Sequence, residues 1–152
     1  MTYECKIIEI KDQPVLTVRT TAAVEELPQF FGEAYGSIMR YLAELGEQPA
    51  GMPFAAYYNM DMQALDVEAG FPVATVLKEK GNIKAGKIRG GKFAVTTHVG
   101  SYDSVGPAYE TLADFAKQQG FEVGEIAYEY YLNDPSEDPT TQPETEIRFP
   151  LK

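Results

Sequence analysis

Cysteine, tryptophan and histidine are almost missing from this chain of 152 residues, which has one cysteine, one histidine and no tryptophan. With Cys5 as the only thiol, no internal disulfide can form, and a zinc site built on several cysteines is excluded. No apolar run approaches the roughly 20 residues of a membrane-spanning helix, and the N-terminus lacks the basic and apolar regions of a signal peptide. These absences predict a cytoplasmic protein without a metal, a cofactor or a membrane partner.

Basic residues are also scarce, since 13 lysines and arginines stand against 23 acidic residues and the net charge is -10. Nucleic-acid binding draws much of its affinity from basic groups that meet phosphates, so the composition argues against a nucleic-acid partner. An acidic surface attracts cations but is also common among soluble proteins, so it supports a cationic ligand only weakly. Aromatic residues are plentiful, with ten tyrosines and eight phenylalanines, and tyrosines line many small-molecule sites.

The first half of the chain predicts two strands, a long helix and two further strands. The strands are expected at residues 3–11, 15–20, 54–60 and 65–76, the last interrupted near Gly70 and Pro72. Apolar residues at helical spacing define one helix face between the second and third strands, and they are Leu27, Phe31, Tyr35, Ile38, Leu42 and Leu45. The following stretch, residues 78–91, is rich in lysine and glycine and predicts a mobile connection between two halves.

The second half predicts the same order of elements. A strand at residues 92–99 is followed by a turn in which Asp103 or Ser104 would cap a helix that stops at Gly120. The segment IAYEYYLNDP predicts a strand that ends in a turn, and EIRFPL predicts a closing strand.

The two halves can be aligned with each other by one constant shift. Tyr35, Gly46 and Asn59 recur 74 positions later, and their counterparts are Tyr109, Gly120 and Asn133. The repeat predicts an α+β fold made of duplicated strand–helix–strand–strand (βαββ, SHS2-type) units with pseudo-twofold symmetry. We expect one domain at residues 1–152, with half-repeats at about 1–77 and 86–152. Its antiparallel sheet would carry both helices on one face and a ligand cleft between the halves.

Glu129 is the one acidic residue in the aromatic segment of the second half. On a strand, Glu129 and Tyr131 share a face, and the repeat places Ala55 and Tyr57 at the equivalent positions. From the residues alone, two interpretations stay open. The carboxylate either points to solvent or lies in a pocket where tyrosine rings could bind a flat cation by stacking and cation–π attraction.

Three short motifs in order resemble the GyrI-like effector-binding domain family. They are H-x-G-x-Y at residues 98–102, E-x-Y-L-x-D-P at residues 129–135, and T-E-I-x-x-P-L at residues 145–151. The family includes the ligand-sensing C-terminal domains of bacterial multidrug-responsive regulators and free-standing members. The resemblance covers nearly the whole chain and implies the duplicated fold. No helix-turn-helix segment is evident before the domain, so we do not expect a direct role in transcription.

The resemblance implies a cleft that binds hydrophobic, aromatic, cationic small molecules, with Glu129 facing the positive charge of the ligand. The predicted ligand-binding residues are Glu129, Tyr57, Tyr131, Tyr35, Met39 and Tyr109, although the helix residues among them could equally be core. Some free-standing members are reported to hydrolyse cyclopropane-containing toxins with a glutamate and an aromatic hydroxyl. In that alternative Glu129 is the general base and Tyr57 or Tyr131 the hydrogen-bond donor. A third possibility, from members that bind DNA gyrase, is a protein-interaction module.

His98, the only histidine, is interpreted as a structural residue at a strand end. A role as general base, or as a haem ligand as in the distantly similar SOUL-type proteins, is the alternative. The acidic segment after Pro135 lacks the regular ligand spacing of a calcium loop.

Overall fold

The computed structural model describes residues 3–101, 104–133 and 142–152. Within these residues two α-helices and eight strands follow one another along the chain. In order they are β1 (Cys5–Ile10), β2 (Gln13–Ala22), a short 3-10 helix (Val24–Glu26), α1 (Leu27–Leu45), β3 (Phe54–Tyr57), β4 (Leu65–Pro72), β5 (Lys84–Ile88), β6 (Gly91–Val99), α2 (Gly106–Gln118), β7 (Ala127–Tyr131) and β8 (Glu144–Pro150). The predicted α+β class is confirmed.

Contacts between residues divide the chain into two units. The first unit is Lys11–Gly90 and contains α1, and the second unit combines Met1–Ile10 with Gly91–Lys152 and contains α2. The strands of the first unit lie in the order β5-β2-β4-β3, and those of the second in the order β1-β6-β8-β7. Each unit therefore has the predicted strand–helix–strand–strand order plus one further strand beside its first strand. The half-repeat boundaries within a single domain stay a prediction.

Equivalent aromatic pairs show how closely the two units correspond. On α1, the ring of Tyr35 meets Phe71 of β4 edge-on, with ring centroids 5.4 Å apart. On α2, the ring of Tyr109 meets Phe149 of β8 in the same way at 5.5 Å. In both units an aromatic residue in the helix therefore packs on the last strand of the repeat, as the aligned sequences suggest.

Two residues with special backbone properties mark the ends of the helix α1. Pro28 stands in its first turn, where a missing backbone N–H costs nothing, and Gly46 ends it with a left-handed φ of 70°. Ile38 and Leu42 of its apolar face are fully buried against β2 and β4. In the second unit Leu112 of α2 packs in the same manner on the core formed by β6 and β8.

The prediction of a mobile connection at residues 78–91 was wrong. This stretch contains β5, which pairs antiparallel with Gln13–Thr17 of β2. Ile83 and Ile88 are buried, while the lysines of the strand are exposed. A strand at the margin of a sheet commonly carries lysines on its solvent side, which explains why the composition resembled a loop.

Two smaller predictions also need correction. The strand β4 continues through Gly70 without interruption and ends at Pro72. The position requires glycine, because a Cβ there would collide with the backbone carbonyl of Leu16 on the neighbouring β2. The N-cap of α2 is Val105, and no side chain caps it. Ser104 instead donates its hydroxyl to the carbonyl of Ser101 at 2.8 Å, whereas Asp103 lies outside the described residues.

Candidate functional site

Glu129 lies in the middle of β7, on the side of the sheet that packs against α2. Its antiparallel partner on β8 is Ile147, which belongs to the core formed with α2. Side chains of directly opposed residues lie on the same face of a sheet. Since alternate residues of a strand share a face, Tyr131 points to the helix side as well. Glu129 therefore does not lie on a solvated outer face of the strand.

Two tyrosine hydroxyls hold the carboxylate of Glu129. Tyr109, from the second turn of α2, donates a hydrogen bond to Oε2, and Tyr131 donates one to Oε1 at 3.1 Å. The ring of Tyr109 is fixed in turn by its edge-on contact with Phe149. The structure thus brings together three of the residues that the sequence marks as ligand-binding.

Burial raises the pKa of Glu129 above its ordinary value. Although the side chain keeps some accessible surface, its carboxylate lies deep among protein atoms, and loss of hydration disfavours the charged form. The hydroxyls of Tyr109 and Tyr131, and then the charge of His98, act in the opposite direction without cancelling the effect of burial. The site therefore holds a carboxylate whose charge is only partly compensated by the protein.

A row of polar residues crosses the sheet beside Glu129. His98 on β6 pairs with Thr145 on β8, and Thr145 pairs with Tyr131 on β7. These three side chains face the same side of the sheet, and His98 and Thr145 are almost completely buried. The row lies two residues along β7 from Glu129, so the carboxylate forms one corner of a buried polar region.

His98 joins three parts of the second unit. Its Nδ1 is 2.9 Å from the hydroxyl of Tyr3, and its Nε2 is 3.1 Å from both the carbonyl of Ser101 and the hydroxyl of Ser104. A carbonyl can only accept, so Nε2 carries the proton and Nδ1 accepts from Tyr3 when the ring is neutral. This network anchors the turn before α2 and is typical of a structural histidine.

A second carboxylate that accepts hydrogen bonds from two hydroxyls lies in the first unit. Glu68 on β4 accepts hydrogen bonds from the hydroxyls of Tyr58 and Thr17. The guanidinium of Arg19 lies 3.8 Å from the ring centroid of Tyr58 and pairs with Asp66 at 2.8 Å. Sequence reasoning missed both this cluster and Thr145. Only strand register brings these residues together, and no spacing along the chain signals it.

The remaining predicted ligand residues belong to the first unit. Tyr57 is the last residue of β3 and is half-buried, whereas Met39 is on an exposed part of α1. Tyr35 donates its hydroxyl to the backbone carbonyl of Phe54 at 2.7 Å. The family motif also includes Tyr102, Asp134 and Pro135, which lie outside the described residues. The part of Tyr57, Tyr35 and Met39 in binding stays a prediction.

Two other functional features are absent from the part of the chain that the structure describes. No group of three or more histidine, cysteine or acidic side chains there is placed to hold a metal ion. Neither of its helices combines the length and the apolar character needed to cross a membrane.

Several solved structures share the fold at low sequence identity. The C-terminal domain of EcmrR is 21% identical with a TM-score of 0.80, and the match covers 100% of this chain and 99% of that one. EcmrR in its DNA complex is 22% identical with a TM-score of 0.83, and the match covers 99% of this chain. This chain spans only 57% of the length of that EcmrR chain.

Two further neighbours are proteins of similar length. A hydrolase from Listeria innocua, encoded by lin2189, is 13% identical with a TM-score of 0.73, over 98% of this chain and 92% of that one. SAV2435, solved with tetraphenylphosphonium bound, is 13% identical with a TM-score of 0.67, over 98% and 94% of the two chains. At these identities the likeness shows the fold alone.

Curated proteins provide no match to this chain. The family model for the GyrI-like small molecule binding domain, however, matches residues 3–152. This match extends over nearly the whole sequence, and it agrees with the fold shared with the EcmrR C-terminal domain. The chain therefore belongs to the family of GyrI-like small molecule binding domains.

Proposed function

We propose that this protein binds hydrophobic aromatic cations and that Glu129 supplies the negative charge that recognises them. The observation that carries the proposal is a carboxylate held deep in the second unit by two tyrosine hydroxyls, without a basic side chain bonded to it among the described residues. Taking an ionised carboxylate out of water is costly unless a positive charge compensates it. A bound cation would provide that charge.

The aromatic character of the ligand follows from the side chains around the carboxylate. Tyr109 and Tyr131 bring aromatic rings close to Glu129, since the hydroxyls of both bond to its carboxylate. A cation near a tyrosine ring gains about 0.5–2 kcal/mol, more when both groups are desolvated. Rings and a single acid impose few directional demands, so we expect binding of many compounds rather than one.

The family description and one structural neighbour support a small cationic ligand. The family model describes a small molecule binding domain, and SAV2435 was solved with tetraphenylphosphonium, a cation surrounded by four phenyl groups. Tyr57, Tyr35 and Met39 stay sequence-based predictions of ligand contacts, in which Met39 would offer a flexible apolar side chain. We place the protein in the cytoplasm.

The test is a fluorescence titration with a rhodamine dye, an aromatic cation, comparing wild type with Glu129→Gln. We expect wild type to bind the dye with micromolar affinity. Because Gln keeps the size of the side chain and removes its charge, the affinity of Glu129→Gln should be weaker by about tenfold or more. Glu68→Gln is the matched control, because it removes a carboxylate that is likewise held by a tyrosine hydroxyl. If Glu129→Gln binds the dye as wild type does, the proposal is wrong, and a protein-interaction module becomes the better explanation.

A hydrolase is the second candidate, because Glu129 has both a raised pKa and hydroxyl donors beside it. Glu129 would take a proton from water, the resulting hydroxide would attack a strained carbon, and Tyr57 or Tyr131 would protonate the carbon released when the ring bond breaks. The Listeria innocua neighbour is described as a hydrolase. Incubation with a cyclopropane-containing electrophile, followed by mass spectrometry, would show more than one product per protein molecule if turnover occurs, and about 10²-fold or greater loss in Glu129→Gln.

A further inference from the structure

Thr145 has the only buried side-chain oxygen or nitrogen without a hydrogen-bond partner in the part of the chain that the structure describes. Its relative exposure is 0%. A hydroxyl that loses water without gaining a partner destabilises the folded state. Packing alone does not require the hydroxyl, since valine has nearly the same shape and would bury a methyl group there.

The neighbours of Thr145 have their own hydrogen bonds. On one side, His98 engages Tyr3 through Nδ1 and Ser101 through Nε2. On the other side, the hydroxyl of Tyr131 donates to Glu129. The Thr145 hydroxyl therefore lies between hydrogen-bonded neighbours but has no hydrogen bond of its own.

Thr145 is also close to Glu129. The directly opposed partner of Glu129 is Ile147, and Thr145 precedes Ile147 by two residues on the same face of β8. Such diagonal positions in an antiparallel pair lie about 7–8 Å apart. This distance is within the span of one fused aromatic ring system.

We propose that Thr145 forms a polar subsite next to Glu129, which takes a hydrogen-bonding substituent of an aromatic cation. This inference rests on the proposed function, because the cation at Glu129 brings the substituent to Thr145. The threonine hydroxyl both donates and accepts, so it pairs with an aromatic amine or a hydroxyl group. The subsite makes the protein favour amino- or hydroxyl-substituted aromatic cations over purely hydrocarbon ones.

Two dyes with the same ring system and the same permanent charge separate this subsite from the site at Glu129. They are 3,6-diamino-10-methylacridinium, which carries two aromatic amines, and 10-methylacridinium, which carries none. Each is titrated by fluorescence into wild type, Thr145→Val and Thr145→Ser. Thermal unfolding of the three proteins, followed by circular dichroism, verifies that the variants are folded.

Wild type is expected to bind the diamino dye more tightly than the unsubstituted dye. Thr145→Val keeps the shape but lacks the hydroxyl, so its affinity for the diamino dye falls about tenfold, while its affinity for 10-methylacridinium stays within about twofold of wild type. Thr145→Ser keeps the hydroxyl and the preference for the diamino dye.

Three results would overturn the subsite. Unchanged affinity of Thr145→Val for the diamino dye would mean that the hydroxyl has a water as its partner. Equal losses for both dyes would mean that Thr145 acts through packing. In both cases, binding of 10-methylacridinium to wild type would leave the proposed function intact. If neither dye binds wild type, the proposed function is wrong and the subsite with it.

Discussion

Tyr109 donates its hydroxyl to the carboxylate of Glu129 and so ties the helix α2 to the centre of β7. The equivalent tyrosine of the first unit, Tyr35, donates instead to the backbone carbonyl of Phe54. Ala55 stands there at the position equivalent to Glu129. Equivalent tyrosines on the two helices therefore donate to a backbone carbonyl in the first unit and to a carboxylate in the second.

This difference predicts unequal effects of removing the two hydroxyls. At a pH where Glu129 is ionised, Tyr109→Phe should lower the free energy of unfolding by about 1.5–3 kcal/mol, because a hydrogen bond to a charged group is lost. Tyr35→Phe, the matched control, should cost about 0.5–1.5 kcal/mol. Urea denaturation measures both. Losses of equal size would show that the Glu129 bond has no charged character.

Replacement of Glu129 by glutamine should stabilise the unliganded protein in a pH-dependent way. The folded state raises the pKa of Glu129 above its unfolded value, so burial favours the protonated form. Compared with a variant that is uncharged at this position, wild type is therefore most stable below the unfolded-state pKa of Glu129. It loses this stability as the pH rises through the folded-state pKa. The stabilisation of Glu129→Gln should appear at neutral pH and shrink in acid.

Denaturation of wild type and Glu129→Gln across a series of pH values measures this difference. Asp66 is a useful contrast, since the guanidinium of Arg19 lowers its pKa. The stability of Asp66→Asn relative to wild type should therefore fall as the pH rises out of the acid range, because only wild type gains the ionised carboxylate. If the curve of Glu129→Gln runs parallel to that of wild type, the pKa of Glu129 is not raised.

Affinity for a permanent cation should rise with pH until Glu129 is fully ionised. A quaternary dye such as 10-methylacridinium does not change its charge, so the titrating group is on the protein. Binding of the cation stabilises the ionised carboxylate and lowers its pKa, which means that a proton is released on binding near the free-protein pKa. Calorimetry in buffers of different ionisation enthalpy measures the proton, and Glu129→Gln should release none.

Two buried threonines provide opposite expectations for the same substitution. Thr145→Val removes an unpartnered hydroxyl and should leave the free energy of unfolding unchanged or raise it by about 1 kcal/mol. Thr17→Val removes the donor to Glu68 and should lower it by about 1–3 kcal/mol. Thermal or urea denaturation distinguishes them, and a clear loss of stability in Thr145→Val would show that its hydroxyl has a partner.

The α+β class, the duplication and the order of every α-helix and strand except β5 could be predicted from the amino-acid sequence alone. Helical spacing of apolar residues placed α1, and the constant shift between Tyr35 and Tyr109 predicted two equivalent units, because local periodicity and repetition are properties of the chain. Sequence reasoning failed at β5, where exposed lysines hid a strand whose one buried hydrophobic residue is Ile88. Pairing with β2 made that segment a strand, and such pairing leaves no local pattern.

The face of Glu129 could not be decided from the residues alone, since a strand with one acid among tyrosines fits a solvated surface as well as a pocket. Tertiary structure decided it by placing Ile147 opposite Glu129 and the hydroxyl of Tyr109 on its carboxylate. Thr145 shows the same limit, because its neighbours His98 and Tyr131 are distant in sequence and meet only through strand register. Hydrogen bonds and burial of this kind depend on how distant strands pair, so only the tertiary structure determines them. Periodicity is a local property, so it can be read from the sequence.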